Sequence, residues 1–367
     1  MNISLFLGAG ASVLFGKPTT SELKRKLLEK YKDYEGKEPE LFYIHNILSF
    51  EKFEDIEHVL QCIKEIDDFF TSSDFGGKYF LEWYRLQASD GRRPWPLGEF
   101  IKKIKIIRSM IEKEIFENYR WEHGKDDILR KIYDVIFTKI IEKTDPIRVF
   151  TTNYDSAIEE YCRLTKNHKC IDGFNWNRHS RSLIWDGIFS PPDNGVGNDV
   201  YLYKLHGSLN WKLHVSGDIG RTLDEAMHQD PNLTDDLLVY PTVSPKDGYE
   251  KEPYKTIRSH FERELNNSDA CIVIGFSFRD DHIKSVFKKF VDDKKALIII
   301  SPSSVENTCK YLLEEEIPKY DKGKVSLLAS GKYENVWCIP DGISVENIEH
   351  QMILSITHIN AIINKKK

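Results

Sequence analysis

Three short runs of this chain gather the residue types that do chemistry: Leu7-Gly8-Ala9-Gly10-Ala11-Ser12, Thr151-Thr152-Asn153-Tyr154-Asp155 and Lys204-Leu205-His206-Gly207-Ser208. Each closes a short apolar stretch of strand-forming residues. Gly8 and Gly10 allow a tight turn and let a pyrophosphate approach the backbone, its charge favoured by the N–H groups of a following helix. Asn153 both donates and accepts hydrogen bonds, which suits a ribose hydroxyl or an attacking water. The same residue type also caps helices, so both roles stand open for Asn153. Asp155 can accept from a carboxamide or cap the helix that follows. His206 offers a neutral base near pH 7, or else a hydrogen-bonded structural imidazole.

These groups act together only if the elements carrying them end on one edge. Ile3–Leu7 reads as a buried first strand, and Pro18-Thr19-Thr20-Ser21-Glu22 opens a helix to about Tyr34, with Thr19, Thr20 and Ser21 as candidate N-caps. From about Lys37 the texture becomes helical. Phe53, Ile56, Val59, Leu60, Ile63 and Ile66 recur at helical spacing, as do Phe100, Ile104, Ile107, Met110, Ile111 and Ile115, then Ile128, Ile132, Val135 and Ile136. Breaks near 72–78 and 88–96 divide this block. Beyond Pro146 strands and helices alternate. Strands are expected at 147–150, 201–205, 237–240, 270–274 and 296–300, and helices near 155–164, 254–265, 280–290 and 345–363. Residues 172–198 and 215–234 read as polar loops. The fold class implied is α/β, a Rossmann-like, doubly wound and mostly parallel sheet with a large all-helical insertion. Its expected boundaries are 1–36 and 145–367 for the sheet domain and 37–144 for the insertion. In such a sheet ligands bind outside the carboxyl ends of the strands.

Composition narrows the classes. The chain has 367 residues, 40% hydrophobic and 30% charged, which is ordinary for a globular protein and excludes wholesale disorder. A net charge of -6 argues against a polyelectrolyte built for nucleic acid, so no direct nucleic-acid binding is expected. Lys365-Lys366-Lys367 reads as a solvated end. None of the six cysteines forms a C-x-x-C pair, so no metal site is expected. No apolar run reaches the roughly 20 residues of a membrane span, and a cytoplasmic location is expected. The first glycine turn departs from the dehydrogenase fingerprint. Val13 stands where a third glycine or alanine belongs, and no acidic residue follows about 20 positions on.

The order and spelling of the three runs resemble the Sir2 (sirtuin-like) superfamily, whose members cleave the nicotinamide–ribose bond of NAD. Gly8 to Ser12 match its G-A-G-x-S spelling, and T-T-N-Y-D stands where the family commonly has T-Q-N-x-D, so Thr152 departs. Gly275-Phe276-Ser277 is similar to the family's G-T-S turn, and Ser301-Pro302 stands where relatives carry an Asn-containing turn. The stretch Phe53–Leu60, F-E-D-I-E-H-V-L, is a looser likeness. The resemblance implies catalytic Asn153 and His206, with His206 as the base activating a ribose hydroxyl and Asp155 recognising nicotinamide. It implies Gly8, Ala9, Gly10 and Ser12 beside the pyrophosphate and Gly275, Ser277 and Ser301 near the adenosine. Gly16-Lys17-Pro18-Thr19-Thr20-Ser21 lacks the Asp-Phe-Arg of deacylating sirtuins, and their zinc module is absent. Water is therefore the expected acceptor. The pattern looks like the NAD-degrading effectors of bacterial antiphage systems. That branch implies NAD+ as substrate without a metal, a homo-oligomer, and activation by a HerA-type ATPase or an Argonaute-like protein. Other readings are a non-catalytic NAD- or ADP-ribose-binding scaffold and an NAD-dependent protein deacylase. Arg279 is open to pairing with a phosphate or with Asp280 or Asp281.

Overall fold

The computed structural model describes residues 1–33, 39–71, 97–141, 146–178, 182–189, 199–214, 216–221, 233–238, 251–315, 326–327 and 334–365. They divide into two compact units: Met1–Lys17 with the described residues from Arg120 onward, and Pro18–Tyr119.

The second unit is helical, with α1 (Thr20–Lys30), α2 (Pro39–Leu48), α3 (Ile56–Thr71) and α4 (Leu97–Tyr119). Thr19 caps α1: its hydroxyl accepts from the Glu22 N–H and the Glu22 carboxylate accepts from the Thr19 N–H, closing a capping box. The predicted stripes are buried through Val59, Leu60 and Ile63 in α3 and Ile107, Ile111 and Ile115 in α4, and α1 buries Leu23 and Leu27. The breaks at 72–78 and 88–96, and the side chains of Ile66, Phe100 and Ile104, lie outside the described residues.

In the first unit β1 (Ile3–Leu7) runs into a short 3-10 helix, Ala9–Phe15. Next come α5 (Asp126–Ile141), β2 (Ile147–Thr151), α6 (Ala157–Thr165), β3 (Cys170–Ile171), β4 (Phe174–Asn177), β5 (Ser182–Trp185), β6 (Val200–Lys204), β7 (Gly207–His214), β8 (Ile219–Arg221) and β9 (Leu233–Leu238). The chain continues through α7 (Tyr254–Asn267), β10 (Ala270–Ile274), α8 (Asp281–Asp292), β11 (Ala296–Ile300), α9 (Ser304–Asn307), β12 (Ser326–Leu327), β13 (Val336–Ile339) and α10 (Ile348–Lys365). The main sheet has the order β12-β13-β11-β10-β1-β2-β6-β3, and all its strands except β12 are parallel. From β1 the sheet grows one way through β2 and β6, then returns to the other side of β1 through β10 and β11. That reversal is the doubly wound pattern.

Alternate side chains of one strand feed two cores. Ile3, Leu5 and Leu7 of β1, with Ile272 and Ile274, pack with α5, α6 and α10. Phe6, Cys271, Val273, Leu297 and Ile299 pack with α7 and α8 on the opposite face. A strand buried on both faces reads as a continuous apolar run, which is why 270–274 and 296–300 were bounded correctly from sequence.

Two expectations need correction. The segments 172–198 and 215–234, read as loops, supply β4, β5, β8 and the start of β9 to a separate antiparallel sheet of order β4-β5-β8-β7-β9. Such strands, three to six residues long with exposed positions such as Trp176, carry no apolar period to detect. Residues 190–198, 222–232 and 239–241 lie outside the described set. β13 was passed over, although it pairs in parallel with β11. The two compact units divide at Lys17/Pro18 and Tyr119/Arg120. The helix α1 groups with the helical unit, while α5 buries Leu129, Ile132, Ile136 and Phe137 against the sheet. Helical periodicity is the same whichever core it faces. Among the described residues no helix is long and apolar enough to cross a membrane.

Candidate functional site

Because β1, β2, β6, β10 and β11 are parallel, the turns that follow them leave from one edge. Backbone hydrogen bonds stitch those turns together. Gly8 N–H donates to Ile274 O at 2.9 Å, Gly10 N–H to Gly275 O at 2.9 Å, Thr152 N–H to Leu7 O at 3.2 Å and Leu205 N–H to Thr151 O at 2.8 Å. The glycines permit this contact. A Cβ on Gly8 would lie 2.5 Å from Gly275 O, and one on Gly10 would lie 2.8 Å from Gly275 Cα. Gly275 itself sits at φ +66°. Sequence reasoning gave the first two glycines to a pyrophosphate. In the structure their N–H groups already have backbone acceptors, and the Cα hydrogens make room for the neighbouring turn.

Ser12, Asn153 and Asp155, 143 positions apart at the extremes, form one hydrogen-bonded cluster. Thr151 Oγ1 donates to Leu7 O (2.9 Å) and accepts from Asn153 N–H (3.0 Å), which ties the second turn to the first. Asn153 Nδ2 then donates to Gly8 O and to Ser12 Oγ, both at 3.0 Å. The Ser12 hydroxyl in turn donates to Asp155 Oδ2 at 2.7 Å. Asp155 Oδ1 accepts from Ala157 N–H at 3.1 Å at the start of α6. Ser156 is the N-cap residue of α6, the Asp155 carboxylate meets the first N–H of the helix, and the amide of Asn153 faces the glycine turn. Ser12 and Asp155 are buried; Asn153 keeps partial exposure. Beneath them the buried Lys204 ammonium donates to Asp155 O and to Glu159 Oε1 (3.1 Å).

His206 follows β6, and Gly207 at φ +85° turns the chain into β7. The imidazole is buried, with Nε2 3.0 Å from Asp280 Oδ2. Its ring centroid lies 6.4 Å from that of Tyr154. Nδ1 is buried and has no hydrogen-bond partner among the described residues. Asp280 is the N-cap of α8, its Oδ1 accepting from His282 N–H (2.9 Å) and Ile283 N–H (3.1 Å). Burial pushes the Asp280 carboxyl upward, but the hydrogen bond from His206 and the two backbone donors outweigh it and hold the group below its ordinary range.

Sequence reasoning missed Asp280, which it saw only as a surface partner for Arg279. The helix-start pattern could have flagged the cap. Nothing local could have flagged a contact with a residue 74 positions away. The Arg279 guanidinium lies over the Tyr311 ring, 5.6 Å from its centroid. On the β10 side, Phe276 packs on Phe6 and Ser277 is half-buried beside it. Ser301 N–H donates to Ile339 O, and its hydroxyl accepts from Ser303 N–H at 3.4 Å. Gly275, Ser277 and Ser301 therefore follow neighbouring strands, β10 and β11. Among the described residues no group of three or more His, Cys, Asp or Glu side chains is placed to hold a metal ion, and all six cysteines are free thiols.

Residues 147–318 match the SIR2-like domain. The matched span runs from β2 past α9, and contains Asn153, Asp155, His206, Gly275, Asp280 and Ser301. Among solved structures, a mutant Sir2 homologue in complex with ADP-ribose aligns over 99% of this chain and 93% of its own, at 14% identity and a TM-score of 0.40. A Sir2 homologue–NAD complex aligns over 97% and 90%, at 12% identity and a TM-score of 0.36. No curated protein matches the chain significantly.

Proposed function

We propose that this SIR2-like chain is an NAD+ glycohydrolase, releasing nicotinamide and ADP-ribose. The observation that carries the reading is the pairing, at one sheet edge, of a hydrogen-bonded Ser12–Asn153–Asp155 cluster with a buried imidazole whose Nδ1 is unpartnered. The match of residues 147–318 to the SIR2-like domain supports NAD as the ligand. NAD+ lies across the carboxyl ends of β1, β2, β6, β10 and β11. Gly8, Ala9, Gly10 and Ser12 flank the pyrophosphate, Gly275, Ser277 and Ser301 the adenosine, and Asp155 orients nicotinamide. As the glycosidic bond breaks, positive charge develops on the ribose in an oxocarbenium-like state. His206 takes a proton from a ribose hydroxyl, and Asn153 positions the ribose and the attacking water. No step requires a metal.

Unchecked NAD+ hydrolysis is toxic, so the enzyme is a gated effector of bacterial antiphage defence. Assembly into a homo-oligomer, or a HerA-type ATPase or Argonaute-like partner, switches it on. A second reading, a non-catalytic NAD- or ADP-ribose-binding subunit, draws support from Asp155, whose two carboxylate oxygens already accept from Ser12 and Ala157. Nicotinamide release by the purified chain, alone and with its partner, separates the two. Release without acylated peptide, abolished by His206→Ala and by Asn153→Ala, is the expected result. NAD+ binding without release under any condition would favour the binding subunit.

A further inference from the structure

We propose that Asp280 is a positioning residue that locks His206 in the Nε2–H tautomer and so presents Nδ1 as the base of the site. The inference deepens the reading of His206 given above and names a residue that reading does not use. An ionised carboxylate accepts hydrogen bonds and donates none, so the 3.0 Å contact places the proton on Nε2. The lone pair of the neutral ring then sits on Nδ1. That atom is buried and unpartnered among the described residues. A buried polar group in that state calls for an explanation, and a catalytic role is one.

The carboxylate is itself held. Its second oxygen takes two N–H groups of the first turn of α8, whose positive end favours the ionised form. Asp280 thus has a fixed orientation before any substrate arrives, and the imidazole rotamer follows from it. In the proposed reaction the nicotinamide–C1′ bond breaks with its electron pair leaving on the nicotinamide nitrogen, while Nδ1 takes one hydroxyl proton. The imidazolium is stabilised by the Asp280 carboxylate against its Nε2–H, and that carboxylate stays unprotonated. Water adds to C1′, the borrowed proton returns to the ribose oxygen, and the surplus proton of water leaves to solvent.

Asp280→Asn separates this role from capping, because Asn is as good an N-cap as Asp yet carries no charge. Long-range 15N–1H correlation spectra of histidine-labelled full-length protein, with His206→Gln to assign the signal, are expected to show a neutral ring protonated at Nε2. In Asp280→Asn the Nδ1–H tautomer is expected to rise to half or more. Nicotinamide release is expected to lose about 10²-fold or more in kcat with KM within about threefold, the usual worth of a well-placed general base. A wild-type ring protonated at Nδ1 overturns the proposal. So does an Asp280→Asn protein with unchanged tautomer and kcat, or one in which only KM changes. The tautomer is read without turnover, so it tests Asp280 even if the chain proves not to hydrolyse NAD+.

Discussion

Replacing Gly275 by Ala tests whether the glycines of the site serve backbone-to-backbone packing. The new Cβ would lie 2.4 Å from Ala11 N, 2.5 Å from Gly10 C and 2.6 Å from Gly10 Cα, all main-chain atoms that no rotamer can move aside. At φ +66° an L side chain also carries the left-handed penalty of about 1–2 kcal/mol. Overpacking a tight contact adds about 1–3 kcal/mol. Together the substitution costs about 2–5 kcal/mol, a large share of the roughly 5–15 kcal/mol that holds a domain folded. At about 2–4 °C per kcal/mol, the melting temperature falls by roughly 4–20 °C. Gly124→Ala is the control, since nothing lies within 4 Å of its added Cβ; its expected effect is under about 0.5 kcal/mol. Urea unfolding of both variants, followed by calorimetry, provides the measurement. A Gly275→Ala protein within about 0.5 kcal/mol of wild type would refute the packing account. Gly8→Ala combined with Gly275→Ala should cost less than the sum of the two, because both strain the same pair of turns.

Two further outcomes follow from buried charges. Lys204→Met removes the ammonium that bridges Asp155 O and Glu159, and leaves the Glu159 carboxylate, largely buried, without its cation. A loss of about 3–5 kcal/mol in urea unfolding is expected, with part of it regained in Lys204→Met/Glu159→Leu; no regain would show that the ion pair is not what Lys204 supplies. Asp280 has a carboxyl depressed in the folded state, against about 3.9 unfolded. Its charge therefore contributes stability that is complete above about pH 4 and fades as pH falls through the lower folded value. The stability gap between wild type and Asp280→Asn should hold from neutral pH to about 5 and close below about 4; a gap that widens on acidification contradicts this sign.

The sequence by itself determined the parallel sheet and the positions of Asn153, Asp155 and His206 at strand ends. Strands buried on both faces are continuous apolar runs, and the glycine turn, Asn-x-Asp and His-Gly-Ser are local spellings at their ends. It placed the start of α1 but left Thr19, Thr20 and Ser21 equal as caps; the structure selects Thr19, which closes a capping box with Glu22. It misread the small sheet, where strands as short as Ile219–Arg221 have no period, and it could not tell that α5 packs on the sheet while α1 packs with helices. Only the tertiary structure decided how the spelled residues are used. The N–H groups of Gly8 and Gly10 are taken by a turn more than 260 positions away, Asn153 bonds Ser12 in place of capping, and Asp280 orients His206. Local sequence specifies which groups are available; hydrogen bonds directed across a sheet depend on register and strand order, which follow from how the whole core packs.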